Sequence, residues 1–245
     1  DTHTPRNVKV QTALLRQCGR EADGIIAVSQ SCKEDLIDIL RVADSKVHVV
    51  PNGVHLEEFD RPWDEQRLAN LKTRLGLQQE YFIHLGTLEP RKNVLRLLDA
   101  YSRLRSTRTD APQLILVGAV GWKSLDIVQR AAELAPFVIH AGYMPREDAV
   151  LLLRGARACV YPSLYEGFGL PVLEAMAART PVVTSSVSSL PEVAGESALY
   201  VNPEDIDSIA DGMARVLDDP AAAQDRVASG RARAESLSWN HSAAA

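Results

Sequence analysis

The sequence predicts an α/β protein built on a doubly wound parallel sheet. Three observations predict it. Short apolar runs alternate with helical periodicity along almost the whole of the 245 residues, the pattern that βαβ units leave in a chain. From Tyr81 onward the alternation becomes strict, with six strand candidates in succession. The loops after the first five of these strands would converge on one sheet edge, and four of the five contain glycine. Ligands of such sheets bind beyond the carboxyl ends of the strands.

In chain order, DGIIAVS (23–29) is a short buried strand followed by a helix over CKEDLIDIL (32–40). KVHVVP (46–51) is the next strand and ends in the turn PNGV (51–54). A charged helix over DEQRLANLKTRLG (64–76) follows, with Gly76 as its C-cap. The strands of the strict alternation are YFIHLG (81–86), QLILVG (113–118), FVIHAG (137–142), ARACVYP (156–162), TPVVTS (180–185) and SALYVN (197–202). Helices between them cover NVLRLLDAYSRLR (93–105), SLDIVQRAAELA (124–135), REDAVLLLRGA (146–156), PVLEAMAA (171–178) and LPEVAG (190–195). Two more close the chain, at 205–217 and 221–235.

Residues 81–245 thus read as one complete unit, and 61–80 as a linker helix. Residues 1–60 cannot close a core alone, since so small a unit is marginal. They read as the tail of another domain, running into a hinge near Pro51 to Pro62, with the rest of that domain expected upstream. With 46% hydrophobic and 24% charged residues, the composition is that of a soluble globular protein. A net charge of −5 without a dense Lys/Arg run disfavours nucleic acid. Cys18, Cys32 and Cys159 are odd in number and lack metal spacing, which favours a reducing compartment. No apolar run approaches the ~18 residues of a membrane span, and no signal peptide opens the chain. The expected setting is cytoplasmic, with peripheral contact at the inner membrane face allowed.

The densest chemistry lies in EGFGLPVLE (166–174). Pro171 suits the first helical position, which leaves the amides of Phe168, Gly169 and Leu170 at a helix N-terminus where positive partial charge collects. Gly167 and Gly169 let backbone approach a ligand closely. Such an end takes phosphate or sugar oxygens. Glu166 precedes the turn and Glu174 lies one helical turn inside it, so both can face the crevice.

In GTLEPRKN (86–93), Arg91 and Lys92 end a strand at the same edge. Arginine offers planar forked donors and lysine a point charge, a pair suited to a diphosphate without a metal. In GYMPRED (142–148), backbone at Tyr143 and Met144 can read a nucleobase edge. GAVGWKS (118–124) adds Gly118, Gly121 and Lys123, placed to lie over phosphates or sugar. His84 and His140 sit inside apolar strands as core residues. His3, His48, His55 and His241 show no metal spacing. Ser163 stands at a strand end without a G-x-S-x-G elbow, so nucleophilic hydrolysis is not expected.

These segments, with LVGAVGW (116–122), the run from Ala141 to Ala177 and TPVVTSSVSSLPEVAGESALYVNPED (180–205), together resemble the family 4 retaining glycosyltransferases of the GT-B fold. The resemblance extends upstream to VHVVPNGV (47–54) and ADGIIAVSQSCKEDL (22–36), and its Glu-x7-Glu signature is Glu166 and Glu174. It implies a Rossmann-like C-terminal domain that binds a nucleotide sugar, preceded by an acceptor-binding domain of which 1–60 is the remnant. Glu166 would contact the donor hexose with the amides of Phe168, Gly169 and Leu170, and Glu174 would hold the ribose. Arg91 and Lys92 would neutralise the diphosphate, and Tyr143 and Met144 would border the base. Gly86, Lys123, Ser163 and Gly167 complete the donor set. No metal or cofactor is implied. VGAVGW, Lys123 and SSLPEV look most like bacterial mannosyltransferases using GDP-mannose, with a saccharide or lipid-linked acceptor.

Three departures stand out. Relatives usually carry glycine where Arg179 stands, and a Cβ there strains a left-handed cap by ~1 kcal/mol. Relatives continue beyond SWNHSAAA into a last helix. The acceptor domain is represented only by its final elements, which makes a separate chain supplying it an expected partner. Two other activities fit the same residues: a nucleotide-sugar 2-epimerase, and a half-cleft that binds donor without turnover.

Overall fold

The computed structural model describes residues 5–78 and 80–243; His3 lies outside them. A two-stranded parallel sheet comes first, from β1 (Ile25–Ala27) and β2 (Val47–Val49), with Ile25 opposite Val47. Helix α1 (Pro5–Glu21) precedes it and α2 (Gln30–Asp38) joins its strands. Ser29 starts α2 as an N-cap, its side chain accepting the Cys32 amide. A one-turn helix α3 (Leu56–Phe59) and then α4 (Glu65–Leu75) lead to the large sheet. Asp64 caps α4 at one end, and Gly76, left-handed at φ 70°, stops it at the other.

The large sheet contains β3 (Tyr81–Leu85), β4 (Gln113–Val117), β5 (Val138–Gly142), β6 (Ala158–Tyr161), β7 (Val182–Ser185) and β8 (Leu199–Val201). All its pairings are parallel, in the order β5-β4-β3-β6-β7-β8. Every residue of β3, β4, β6 and β7 is buried, as expected of strands covered on both faces. The connecting helices are α5 (Val94–Thr107), α6 (Leu125–Glu133), α7 (Arg146–Arg154), α8 (Leu170–Ala177), α9 (Leu190–Ala194), α10 (Ile206–Asp218) and α11 (Pro220–Ser236), and α12 (Trp239–Ser242) follows.

Alternate residues of β3 divide the core in two. Tyr81, Ile83 and Leu85 pack with α4, α7, α8 and α9, whereas Phe82 packs with α5, α6 and α10. Helix α4, expected as a linker, contributes Leu68 and Leu71 to the first of these clusters. The small sheet has a modest core of Ala27, Val42 and Val47. It is joined to the rest of the chain at the crossover, where Val54 bridges Ser238 and its amide donates to the Leu237 carbonyl at 3.0 Å. No helix among the described residues is long and apolar enough to cross a membrane.

The expected doubly wound parallel sheet is therefore present with all six strands. From β3 the chain winds outward through β4 to β5, then returns to β6 and winds the other way. The crevice between the carboxyl ends of β3 and β6 is the topological switch point, where such sheets bind ligands.

Candidate functional site

Two loops meet at the switch point. After β3, Pro90–Lys92 forms a single 3-10 turn that places Arg91 and Lys92 over the crevice, and Asn93 turns left-handed (φ 60°) to enter α5. Asn93 Nδ2 donates to the carbonyls of Pro162 (2.9 Å) and Pro203 (2.7 Å), pinning this loop to the ones after β6 and β8. The Leu164 amide donates to the Arg91 carbonyl at 2.9 Å. The loop after β4 closes against the same edge because Gly118 lacks a side chain: a Cβ there would stand 1.9 Å from the Gly86 carbonyl oxygen.

Glu166 is the hub of this edge. One oxygen, Oε2, lies 2.7 Å from Arg91, and Oε1 lies 2.7 Å from Lys92 Nζ. Tyr161 Oη (2.8 Å) and Ser163 Oγ (2.7 Å) also reach Oε1, and Lys92 Nζ donates to Tyr161 Oη. Glu166 and Lys92 are both buried. Burial alone raises the Glu166 pKa, but Lys92, Ser163 and Arg91 outweigh it and hold the carboxyl below its ordinary range. Burial likewise lowers the Lys92 pKa, against the opposing pull of Glu166. Tyr161 stacks on His84, centroids 5.4 Å apart; His84 is fully buried and desolvation depresses it to about 4. Glu166 is thus a desolvated, multiply bonded anion and not a solvated loop carboxylate.

Beyond Glu166 the chain turns through Gly169, at φ 104°, into α8. The turn begins α8 at Leu170, so Pro171 stands second in the helix. The amides of Gly167, Phe168, Gly169 and Leu170 donate to no acceptor among the described residues. They lie free at the N-terminus of an eight-residue helix. The loop is fixed from behind: Ser188 Oγ accepts the Glu166 amide, and Ser189 Oγ lies 2.9 Å and 2.8 Å from the carbonyls of Glu166 and Phe168. It is also held by the small sheet's helix. Ser29 Oγ and Cys32 Sγ both donate to the Gly167 carbonyl, Tyr165 Oη donates to Asp35, and the Glu192 carboxylate accepts the Gln30 amide at 2.8 Å.

Glu174 faces a different part of the crevice. With Gly86, Gly118, Tyr143, Met144, Arg146 and Pro171 it lines a cavity of about 270 Å³. Burial pushes its pKa up, and Arg146, 2.8 Å away, only partly offsets this. Met144 is buried in the wall, while Tyr143 stands at the mouth, 83% exposed. Pro145 is the N-cap of α7 and Arg146 its first residue.

Of the residues singled out in the sequence, Arg91, Lys92, Ser163 and Glu166 form one hydrogen-bonded group, continuous with the amides of 167–170. Gly86, Tyr143, Met144 and Glu174 share the cavity wall. Lys123 joins neither. Its Nζ lies 5.1 Å from the Trp122 ring centroid, and it lines a groove with Val120, Leu125 and Ile206. Sequence reasoning missed Tyr161, Ser188, Ser189 and Arg146. For Arg146 a signal exists: a cation at the positive end of a helix is unfavourable without a carboxylate partner. Among the described residues, no group of three or more His, Cys, Asp or Glu is placed to hold a metal ion.

The family model described as "Glycosyl transferases group 1" matches residues 69–233, and that described as "Glycosyltransferase Family 4" matches residues 2–58. The O-antigen chain mannosyltransferase B of Escherichia coli is 35% identical over 235 residues, covering 94% of this chain and 55% of that protein. The MMP alpha-(1->4)-mannosyltransferase of Mycolicibacterium hassiacum is 33% identical over 239 residues, covering 94% of this chain and 54% of that one. The chain thus spans about half the length of these curated relatives. Among solved structures, Anabaena Alr3699/HepE in complex with UDP and glucose superposes with a TM-score of 0.83 over 97% of this chain and 66% of that one. At 20% identity that likeness carries the fold alone.

Proposed function

The chain belongs to the group 1 glycosyl transferases, with the GT-B fold expected from its motifs, and we propose that it is the donor-binding part of a retaining hexosyltransferase that uses GDP-mannose. One observation carries the reading. A carboxylate, two cations and a row of free helix-end amides meet at the β3/β6 switch point.

Without ligand, Glu166 compensates the charge of Arg91 and Lys92. An arriving diphosphate supplies that compensation instead, which releases Glu166 and the amides of Phe168, Gly169 and Leu170 to meet the hexose hydroxyls. Glu174 accepts from the ribose hydroxyls, and Tyr143 and Met144 border the base. In transfer, the bond from the anomeric carbon to the diphosphate oxygen breaks and a bond to the acceptor oxygen forms on the same face. The departing phosphate takes the acceptor's proton. Fixed cations and helix-end dipoles stabilise the charge that grows on the leaving group, so no metal or cofactor is required. Mannose is favoured because mannosyltransferases stand among the relatives at 35% and 33% identity. The acceptor, saccharide or lipid-linked, meets the donor across a cleft completed by an N-terminal domain, and the reaction takes place in the cytoplasm or at the inner membrane face.

A thermal-shift panel of GDP, UDP and ADP sugars tests the donor, since ligand bound to the folded state raises apparent stability. GDP-mannose is expected to give the largest shift. Release of GDP with mannose transferred supports the full reading. Epimer formation would replace it, and saturable binding without turnover would reduce it to a donor-binding module.

A further inference from the structure

The cavity beside Glu174 contains a cation for which the Glu-x7-Glu signature does not account. Arg146 spans two carboxylates: a terminal nitrogen lies 2.8 Å from Glu174 Oε1, and Nε lies 2.8 Å from Glu58 Oε2. Its guanidinium carbon is 5.4 Å from the ring centroid of Phe59, which is fully buried. Glu58 and Phe59 belong to α3, in the segment that leads from the small sheet to the large one. One side chain therefore touches both the cavity wall and the crossover.

We propose that Arg146 is a positioning residue for the donor, holding the Glu174 carboxylate in the orientation that meets the ribose and fixing that orientation to α3. The proposal rests on the reading of Glu174 as the ribose-binding carboxylate. A charged carboxylate accepts from two hydroxyls at once, whereas a protonated one gives up acceptor capacity to its own O–H. The groups bearing on Glu174 are few. Among the described residues, burial and Glu58 disfavour its charge, and Arg146 favours it. The Cys159 thiol nearby is pushed up to about 12 by burial and stays neutral. Removing Arg146 leaves a buried carboxylate that takes up a proton at higher pH than in the parent chain.

The test is titration of the full chain and its variants with GDP, from mildly acidic to mildly alkaline pH. Arg146→Met is expected to bind at least about tenfold more weakly at acid pH, the scale of one charge-assisted contact, and to recover as pH rises. Arg146→Lys should restore much of the affinity and flatten the profile. Arg146→Met in a Glu174→Gln background should add no further loss, because the arginine acts through that carboxylate. Should Arg146→Met not fold, Arg146→Gln keeps a hydrogen bond without the charge and carries the same expected pH dependence. Parent-like or tighter GDP binding by Arg146→Met or Arg146→Gln at acid pH, alongside a weakened Glu174→Gln, overturns the proposal and leaves the reading of Glu174 intact. So does a pH-independent loss that persists undiminished in the Glu174→Gln background. Parent-like binding by Glu174→Gln itself removes the reading of Glu174 and the proposal with it.

Discussion

Ser29 Oγ donates to the carbonyl of Gly167 across 2.7 Å, joining residues 138 positions apart. The same oxygen accepts the Cys32 amide and so begins α2. One hydroxyl both starts a helix of the small sheet and steadies the loop that carries Glu166. Ser29→Ala removes an N-cap, worth about 1 kcal/mol, and leaves the Gly167 carbonyl to Cys32 alone. The melting temperature should fall by roughly 2–4 °C, and affinity for GDP-mannose should drop while that for GDP holds. An unchanged melting temperature would show that α2 and the loop do not depend on each other.

Glu166 should shape the acid limb of stability. Its folded pKa lies below the ordinary value of 4.5, so the folded state binds fewer protons there than the unfolded one. The stability it adds is therefore present above that value and drains as pH falls through the depressed pKa. Glu166→Gln should cost about 3–5 kcal/mol near neutrality, because Lys92 is left buried without the carboxylate bonded to it, with only the more remote Glu89 to offset its charge. Denaturant titrations through the acid range should show a shallower decline for the variant than for the parent. Parallel curves would contradict the expectation.

Arg91→Ala should weaken GDP by ~1.5–3 kcal/mol, the range for hydrogen bonds to charged groups. Calorimetry with guanosine and GDP separates the diphosphate from the nucleoside. On this reading the variant loses most of its preference for GDP, and a preserved preference counts against a diphosphate at Arg91.

Arg179→Gly tests the departure visible in the sequence. Arg179 sits at φ 59°, and its amide donates to the Met176 carbonyl at 3.1 Å just beyond α8. Glycine relieves ~1 kcal/mol of left-handed strain. It also gives up a half-exposed ion pair to Asp60 at 3.2 Å, worth about 0–1 kcal/mol. Asp60 keeps Arg231 at 2.6 Å. The net expectation is a gain of up to about 1 kcal/mol, read by chemical denaturation; a loss of that size would mean that the Asp60 contact outweighs the strain.

The large sheet was legible because buried parallel strands are predominantly apolar, and YFIHL, QLILV and ACVY carry at most one polar residue each, His84 in the first and Gln113 in the second. Helix α1 was not, since Val8, Val10, Leu14 and Leu15 all stand exposed and form no buried stripe. The four-residue helices α3 and α12 are too short to carry a period. Within the site, the turn at EGFGL declared itself through glycine and proline. The burial of Glu166 did not, because the lysine that neutralises it lies 74 positions earlier on another loop. The pairing of Arg146 with Glu174 escaped in the same way, since the two stand on separate helices, and Lys123 was drawn to the phosphates only by standing on a loop at the right edge.

The parallel bridge between Val54 and Ser238 has a consequence for how the molecule can bend. At Gly53 an added Cβ would stand 2.2 Å from the Trp239 nitrogen, so two backbones are clasped there with no room for a side chain. Any swing of the small sheet against the large one must pivot around that clasp or open it. A bulkier residue at 53 should therefore splay that junction and lengthen the reach between Ser29 and Gly167, loosening the loop that carries Glu166 from a point that touches none of its atoms.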